Sequence, residues 1–538
     1  MTEPQIFGTH EPQTLAQLRD VASRAERAAL MADGHLGYVM PIGGVAAYRN
    51  QVSVVGVGFD IACGNAAIRT DLSPARLGRH LPELADAIQD TISFGVGRKN
   101  RAGDAPTDDP LFADAAWDAV PGKHERERLR AKAREQLGTV GSGNHYVDVF
   151  ADEADHVWVG VHFGSRGFGF GVAHGFLALG QNRAWGERVP EQEALLDVAT
   201  PVGDAYWQLM NLAGRYAYAG RELVARKVVA LLGGRELELV HNHHNFAWQE
   251  EHGGERFYVV RKGATPAFPG QKGFVGGSMG DDAVIIQGVA SDEPAVRELQ
   301  ARALYSTVHG AGRVMSRTAA AGKRKQGRVI KPGAISRDMM LEWVEQKGVV
   351  LRGGGTDESP HVYRRLPDVL AAQGPTVQVL HVLRPLIVVM AGAEEFDPYK
   401  DLPLTSSHSL SSSSSVARRM AIPRRSASRS TASKRRVNLS FACSSAARGS
   451  ISSLRARFTT ANKRSPISSS IVSRFPFLVS RSSSLNSSSI LARGPLASVQ
   501  SNPTSAARSW IRRAVIKVSW SRGVTRSSES ATASSSCI

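Results

Sequence analysis

The sequence has three cysteines and no long apolar run, and both features narrow the class of protein. Three cysteines in 538 residues, at positions 63, 443 and 537, exclude the disulfide framework of a small secreted protein. No uncharged apolar segment reaches the roughly 18 residues of a membrane-spanning helix. The first residues also show no basic region followed by an apolar one, as a secretory signal would. We therefore expect a cytoplasmic protein that is not inserted in a membrane.

Acidic residues almost disappear after residue 401. Residues 402–538 contain 22 lysines and arginines and a single acid, Glu529, so this part has a net charge of +21, whereas the whole chain has +17. Residues 1–401 are left with about −4. The net charge of the first 401 residues therefore gives no support for nucleic-acid binding by that part.

The basic tail also differs from the rest in composition. Roughly a third of residues 402–538 are serine, scattered among arginines without periodicity. Such a segment buries too little apolar surface to offset its ordering entropy, so we predict a disordered tail after a catalytic domain at 1–401. Two origins remain open: a nonspecific RNA-binding arm, or a shifted reading frame past the true end of the gene, which the composition favours.

Strand-like and helix-like stretches alternate in residues 1–401, and glycine-rich turns separate them. Apolar, β-branched runs predict strands at 51–59, 156–162 and 237–241. Helical spacing of apolar residues predicts helices within 12–33, 123–137 and 206–232. We expect an α+β fold with mixed sheets in one large domain.

Candidate metal ligands stand where several predicted strands begin or end. Asp60 and Cys63 share a glycine-bounded turn, and a carboxylate with a thiol suits a divalent transition metal. Further strand-like runs meet histidines at His145, at His162 and within 241–244. Each feature alone is more typical of a turn cap or a satisfied polar residue. Taken together they favour one convergent site, because strand ends hold ligands rigidly.

A glycine-rich loop at 309–313 carries a second kind of chemistry. The glycines on either side of Ala311 allow the backbone to approach a phosphate, and Arg313 is suited to a bidentate phosphate contact. The imidazole of His309 is able to attack phosphorus and form a phosphoramidate. A turn in which His309 only bonds to backbone is the alternative.

The ordered set of motifs across residues of roughly 30–392 resembles the RtcB family of RNA-splicing ligases. Each motif alone is weak, whereas the set in this order is highly specific. The motifs are DGH at 33–35, GFDIACG at 58–64, GSGNHYVD at 141–148, HFGSRG at 162–167, HNFAWQE at 244–250, RKGAT at 261–265, GGSMG at 276–280, HGAGR at 309–313 and DESPHVYR at 357–364.

The resemblance implies a reaction and a set of site residues. It implies two Mn²⁺ ions on Asp60, Cys63, His145, His162 and His244, with the Cys63 thiolate bridging them. It also implies that GTP guanylylates His309, and that RNA ends bearing a 2′,3′-cyclic phosphate or 3′-phosphate are joined to 5′-hydroxyl ends, in tRNA splicing or RNA repair. The implied nucleotide contacts are Asn144, His145, Tyr146, Val147, Asp148, His244, Asn245, Gly276, Gly277, Ser278, Met279, His309, Gly310, Ala311 and Gly312.

Several positions depart from the family pattern. Met390 stands where the family has a lysine that contacts the guanylate, Ala283 replaces a serine, and Asp148 replaces a glutamate. A thioether cannot offset phosphate charge or donate a hydrogen bond. Two alternatives therefore accompany the ligase hypothesis: a divergent metal-dependent phosphoesterase or ligase with altered nucleotide use, and a non-catalytic RNA-binding protein.

Overall fold

The computed structural model describes residues 3–101, 103–325, 328–393 and 395, so the predicted tail at 402–538 lies outside the described residues. The α-helices are α1 Pro12–Ala22, α2 Val54–Val57, α3 Pro74–Leu77, α4 Leu81–Thr91, α5 Lys123–Gln136, α6 Arg166–Gly180, α7 Pro201–Leu231, α8 Pro294–Arg302, α9 Arg317–Ala321, α10 Arg337–Gln346 and α11 Leu366–Gln373. Short 3₁₀ turns occupy Gly78–His80, Pro110–Ala113, Ala115–Ala119, Thr356–Glu358, Pro360–Val362 and Gly374–Thr376.

The β-strands alternate with these helices along the chain. They are β1 Gln5–Ile6, β2 Arg27–His35, β3 Ile42–Tyr48, β4 Gln51–Ser53, β5 Gly64–Thr70, β6 Tyr146–Ala151, β7 Val157–Phe163, β8 Leu195–Asp197, β9 Glu236–His243, β10 Asn245–His252, β11 Glu255–Lys262, β12 Ala264–Pro266, β13 Lys272–Val275, β14 Ala283–Gly288, β15 Ser306–Val308, β16 Gly322–Lys325, β17 Arg328–Pro332, β18 Val350–Arg352 and β19 Val377–Met390. The predicted mixed α and β class is confirmed.

One large sheet runs in the order β13-β14-β19-β6-β7-β5-β9, and β18 pairs with β19 outside this path. Side-chain amides bring its two edges together. The backbone N–H of Phe274 in β13 donates to Asn242 Oδ1 at 2.9 Å, and Asn65 Nδ2 donates to the Phe274 carbonyl at 2.8 Å. Because these amides supply bonds that a neighbouring strand would otherwise make, the sheet is nearly closed.

A second sheet has the order β1-β2-β3-β11-β10. A single residue, His244, separates its edge strand β10 from the end of β9 in the large sheet. The short pair β12-β15 leads the chain directly into His309. The junction of the two sheets carries His244 and the pair β12-β15 carries His309, and both histidines reach one region.

The 31-residue helix α7 packs against β5 and β7 of the large sheet. It begins with Pro201, and the Thr200 hydroxyl caps it by accepting the Gly203 N–H at 3.2 Å. Its buried face carries small and apolar residues such as Leu209, Ala213 and Ala217. These small residues allow α7 to pack closely against β5 and β7.

The predicted strand at 51–59 is wrong in its second half. Strand β4 ends at Ser53, and the chain then turns through α2, where the Ser53 hydroxyl accepts the Gly56 N–H at 2.7 Å. The apolar run is fully buried, and a short buried run does not distinguish strand from helix by periodicity.

The predicted helix within 12–33 is also wrong in part, because α1 ends at Ala22 and the following residues form β2. Strand β2 is buried on both faces, so it shows no alternation to mark it as a strand. The strands predicted at 156–162 and 237–241 are confirmed as β7 and β9, and the other two predicted helices as α5 and α7. In the described ranges, no helix has the length and apolar character needed to cross a bilayer.

Candidate metal centre and adjoining cavity

Neighbouring strands of the large sheet bring the predicted ligands to one end. Tyr146 and Asn65 both lie opposite His162 in the register, and Gly64 lies opposite His243. His162 lies near the end of β7. The residues just before β5, just before β6 and just after β9 therefore lie at the same end of the sheet as His162. The residues at this end are Cys63, His145, His162 and His244.

One group of potential ligands consists of Cys63, His162 and His244. The Nε2 atom of His162 lies 3.3 Å from Cys63 Sγ and 3.3 Å from His244 Nε2. The ligand atoms of all three residues lie within 4.8 Å of one another, and all three side chains are buried. A single cation between them would contact one thiolate and two imidazoles.

A second group consists of Asp60, Cys63 and His145. The Nε2 atom of His145 lies 3.6 Å from Cys63 Sγ and 3.1 Å from Asp60 Oδ2. These ligand atoms are also within 4.8 Å of one another. Because Cys63 belongs to both groups, its sulfur is positioned between two adjacent candidate cation sites.

The protonation of these residues fits metal binding. His162 Nδ1 lies 2.7 Å from the Asn144 carbonyl, which only accepts, so Nδ1 carries the proton and the Nε2 lone pair faces the group. Burial lowers the pKa of His162 to about 3, which keeps its imidazole neutral. Burial also raises the pKa of the Cys63 thiol, so a metal would displace its proton on binding. The donor set fits a divalent transition metal without selecting manganese over zinc.

Asp60 is held in a tight turn with a glycine directly against it. A Cβ atom at position 164 would lie 2.4 Å from Asp60 Oδ1, so only Gly164 allows this approach. Ala62 has a φ of +60°, an uncommon conformation for a residue other than glycine. Its N–H donates to the Asn245 carbonyl at 2.7 Å, which ties the turn to the start of β10.

His309 is positioned by Asp33. This residue belongs to the motif at 33–35, but the motif alone indicated no role for it. Asp33 Oδ2 accepts the backbone N–H of His309 at 3.0 Å and lies 2.6 Å from His309 Nδ1. Burial favours a raised pKa for Asp33, but its contacts with His309 outweigh the burial and lower that pKa. The two residues are 276 positions apart, so no local sequence pattern indicates this contact.

The loop that carries His309 packs directly on the Asp33 backbone. Gly312 has a φ of +73°, and a Cβ there would lie 2.5 Å from the Asp33 carbonyl oxygen. The His309 and His244 rings have centroids 4.9 Å apart. A carboxylate beside Nδ1 retains the proton on that nitrogen, which leaves the lone pair of the imidazole on Nε2. This imidazole therefore combines an oriented lone pair with a position beside the first ligand group.

A cavity of about 340 Å³ adjoins His162 and His309. This volume is in the range of small-molecule sites. Many of the predicted nucleotide contacts line it, namely Asn144, Tyr146, Asp148, Gly276, Gly277, Ser278, Met279, His309, Gly310, Ala311 and Gly312.

The remaining predicted nucleotide contacts lie outside the cavity lining. Val147 faces the opposite side of β6 and is fully buried in the core. Asn245 is engaged by protein, since its Oδ1 accepts the Gly263 N–H at 2.7 Å. His145 and His244 belong to the two ligand groups described above.

Two of the departures from the family pattern lie on the cavity wall. In the register of β19 and β6, Met390 is opposite Tyr146 and Val388 is opposite Asp148, and all four line the cavity. Asp148 is 6% exposed, its Oδ1 has no hydrogen-bond partner in the part of the chain that the structure describes, and burial raises its pKa well above the usual range. Ala283 differs, because it is 1% exposed in the core and does not line the cavity.

Arg313 has a structural role in place of the predicted phosphate contact. Its Nη1 donates to Glu358 Oε2 at 2.9 Å and to Tyr363 Oη at 3.0 Å, and its Nη2 donates to the Asp357 carbonyl at 2.7 Å. The guanidinium therefore fastens the loop to the segment at 357–363. The expected bidentate phosphate contact is not compatible with these bonds.

Comparison with known proteins adds an independent line of support. A family profile described as tRNA-splicing ligase RtcB matches residues 13–391. The RNA-splicing ligase RtcB of Escherichia coli K12 is 32% identical, with 67% of this chain and 89% of that protein covered. The tRNA-splicing ligase RtcB of Thermococcus kodakarensis is 31% identical, with coverages of 69% and 88%. With these matches and the two ligand groups beside a histidine-bearing loop, the chain belongs to the RtcB family of RNA-splicing ligases.

Proposed function

We propose that this chain is a GTP- and Mn²⁺-dependent RNA ligase that works through a guanylylated His309. It would join RNA ends bearing a 2′,3′-cyclic phosphate or a 3′-phosphate to 5′-hydroxyl ends, in tRNA splicing or RNA repair. The observation that carries the proposal is the position of His309, whose ring lies 4.9 Å from that of His244 and whose Nδ1 lies 2.6 Å from Asp33.

The two ligand groups would hold the metal ions. Cys63, His162 and His244 would bind one ion, and Asp60, Cys63 and His145 the other, with the thiolate shared. When bound, divalent ions neutralise charge on a transferring phosphoryl group and help to align attacker and leaving group.

The first step is the guanylylation of His309. Asp33 holds the Nδ1 side of the ring, so Nε2 attacks the α-phosphorus of GTP and forms a phosphorus–nitrogen bond. The bond to the β-phosphate oxygen breaks and pyrophosphate leaves. The backbone at Gly310 and Gly312 lines the cavity there and allows close approach of the phosphate.

The later steps transfer the guanylate to RNA. A 2′,3′-cyclic phosphate is first opened by water to a 3′-phosphate. An oxygen of that phosphate attacks the phosphorus on His309, which frees the imidazole and leaves the RNA end joined to GMP. The 5′-hydroxyl of the second RNA then attacks the activated 3′-phosphorus and GMP departs. Activation is needed because a phosphate monoester is otherwise a poor electrophile.

A second candidate function keeps the metal centre but uses another nucleotide or hydrolyses a phosphoester. Met390 favours it, because a thioether occupies the cavity wall where the family has a lysine. The position of Asp33 beside His309 Nδ1 favours the ligase.

A labelling experiment tests the proposal. The full chain is incubated with Mn²⁺ and α-labelled GTP or ATP, quenched, and examined for protein-bound label that is stable to base and labile to acid, as a phosphoramidate is. We expect label from GTP that the His309→Ala variant does not acquire. Label retained by that variant would refute the assigned nucleophile, and label from ATP alone would favour the second candidate.

The domain boundary is a separate proposal. We expect a chain ending at Asp401 to retain labelling and ligation, because the described residues that form the centre all precede that position. If the truncated chain is folded but fails to bind and ligate RNA, the tail takes part in RNA binding.

A further inference from the structure

Arg221 lies beneath the metal centre and is fully buried on α7. Its guanidinium carries a charge in the core, yet in the residues that the structure describes it makes no ion pair with a carboxylate. Its hydrogen bonds go to backbone carbonyls and imidazoles instead. Burying a guanidinium without a carboxylate partner costs free energy unless its N–H groups are hydrogen-bonded. The burial of Arg221 therefore depends on the hydrogen bonds that it makes.

The bonds of Arg221 reach the neighbours of three candidate ligands. Nη1 donates to the Ala62 carbonyl at 2.9 Å and to the Phe163 carbonyl at 2.6 Å. Nη2 donates to His243 Nδ1 at 2.8 Å. Ala62 directly precedes Cys63, Phe163 directly follows His162, and His243 directly precedes His244. One planar group therefore touches the chain beside every member of the first ligand group.

The fourth bond fixes the orientation of that planar group. Nε donates to His241 Nε2 at 2.8 Å, and the Tyr218 ring lies 5.3 Å from the guanidinium carbon. Since His241 and His243 are on β9 and Arg221 is on α7, the helix and the strand are joined at this point.

We propose that Arg221 is a positioning residue for the metal centre, which holds the segments bearing Cys63, His162 and His244 in register without touching a metal itself. The left-handed conformation of Ala62, with φ of +60°, agrees with this role, because such a conformation persists only where its surroundings fix it. A lysine cannot replace Arg221, since one ammonium group cannot span two carbonyls and two imidazoles in a plane. The inference rests on the proposed metal centre.

Metal titration of the full-length protein tests it. Arg221→Lys and Arg221→Gln are compared with wild type by calorimetry with Mn²⁺ and by the absorption spectrum of the Co²⁺-loaded protein, which reports thiolate and imidazole geometry. We expect Mn²⁺ affinity to fall by roughly 10- to 100-fold, as for other residues that orient metal ligands, and the Co²⁺ spectrum to change. The melting temperature of the metal-free protein reports folding.

Arg215→Gln is the matched control, because Arg215 is an exposed arginine on the same helix that pairs with Asp114. It should bind Mn²⁺ like wild type. Wild-type affinity and spectrum in both Arg221 variants would overturn the inference, and so would loss of the fold in both, since Arg221 would then act on the whole core. If wild type itself binds no Mn²⁺, the proposed metal centre fails and this inference with it.

Discussion

The two ends of the cavity differ in how closely they keep the family pattern. At the metal end, all five expected ligands are present and their atoms form two compact groups. At the far end, on β6 and β19, Met390 and Asp148 stand where the sequence resemblance implies a lysine and a glutamate, and one oxygen of the Asp148 carboxyl has no hydrogen-bond partner among the described residues.

The contrast reflects how much each kind of interaction tolerates change. A metal needs ligand atoms of the right type at short, fixed distances, so the loss of one ligand removes much of the binding. A nucleotide makes several weaker contacts, each with a modest net contribution to binding, and a change in one alters affinity or selectivity. We therefore expect metal binding to be ordinary for the family and the affinity for GTP to be lower.

The largest expected effect is at the shared ligand. Replacing Cys63 by alanine removes the one atom common to both groups, so we expect the number of bound Mn²⁺ ions to fall from two to none and guanylylation to be lost. Asp60→Asn changes a ligand of only one group, so we expect it to lose one ion and keep the other. Metal analysis after equilibrium dialysis measures both. Equal losses in the two variants would contradict a shared sulfur.

A smaller effect is expected where the metal end meets the nucleophile. In Asp33→Asn the metal ligands are untouched, but the carboxylate beside His309 Nδ1 is lost and the ring is no longer held in one tautomer. We expect the rate of label transfer from GTP to His309 to fall on the order of 100-fold, since misplacing a reacting group by about an ångström has that effect. Single-turnover labelling measures it.

The exposed carboxylate Asp71 supplies the control for this prediction. It pairs with Arg235 on the surface, so Asp71→Asn should label at the wild-type rate. An unchanged rate in Asp33→Asn, with Mn²⁺ still bound, would show that Asp33 does not orient the nucleophile.

The same contrast explains which features the sequence could predict. The ligand types and the glycine-rich loop were visible because metals and phosphates require particular residues within short motifs. The contacts of Asp33 with His309 and of Arg221 with three ligand segments were not visible, because they join residues far apart in sequence. An arginine in an amphipathic helix carries no local sign of such a role.

The errors in secondary structure have a related cause. Residues 51–57 form a strand and then a helical turn, and β2 follows α1 after a four-residue connection. Residues 52–57 and the interior of β2 are buried on both faces, so the alternation that separates strand from helix is absent there. Where one face is exposed, as in α5, the periodicity predicted the element correctly.

A change at the far end should have a moderate effect. Met390→Lys restores the family residue on the cavity wall, next to Tyr146 in the register and close to the buried Asp148. A charged donor there should tighten GTP binding by about tenfold, the usual size of one hydrogen bond to a charged group. Equilibrium binding of GTP measures this, and Met390→Leu, which adds no donor, should leave the affinity unchanged. Unchanged GTP affinity in Met390→Lys would mean that the wall at this position does not contact the nucleotide.

The smallest effect on nucleotide use is expected at Ala283, although the family has a serine there. The structure puts Ala283 in the core opposite Leu383, 1% exposed and outside the cavity lining. Ala283→Ser should therefore leave GTP affinity and labelling within twofold of wild type. It should instead lower the free energy of unfolding by about 1–3 kcal/mol if the new hydroxyl finds no partner, as chemical denaturation would measure. A tighter GTP complex in this variant would mean that the cavity extends past β14. The far end would then differ from the family at Ala283 as well as on the wall formed by β6 and β19.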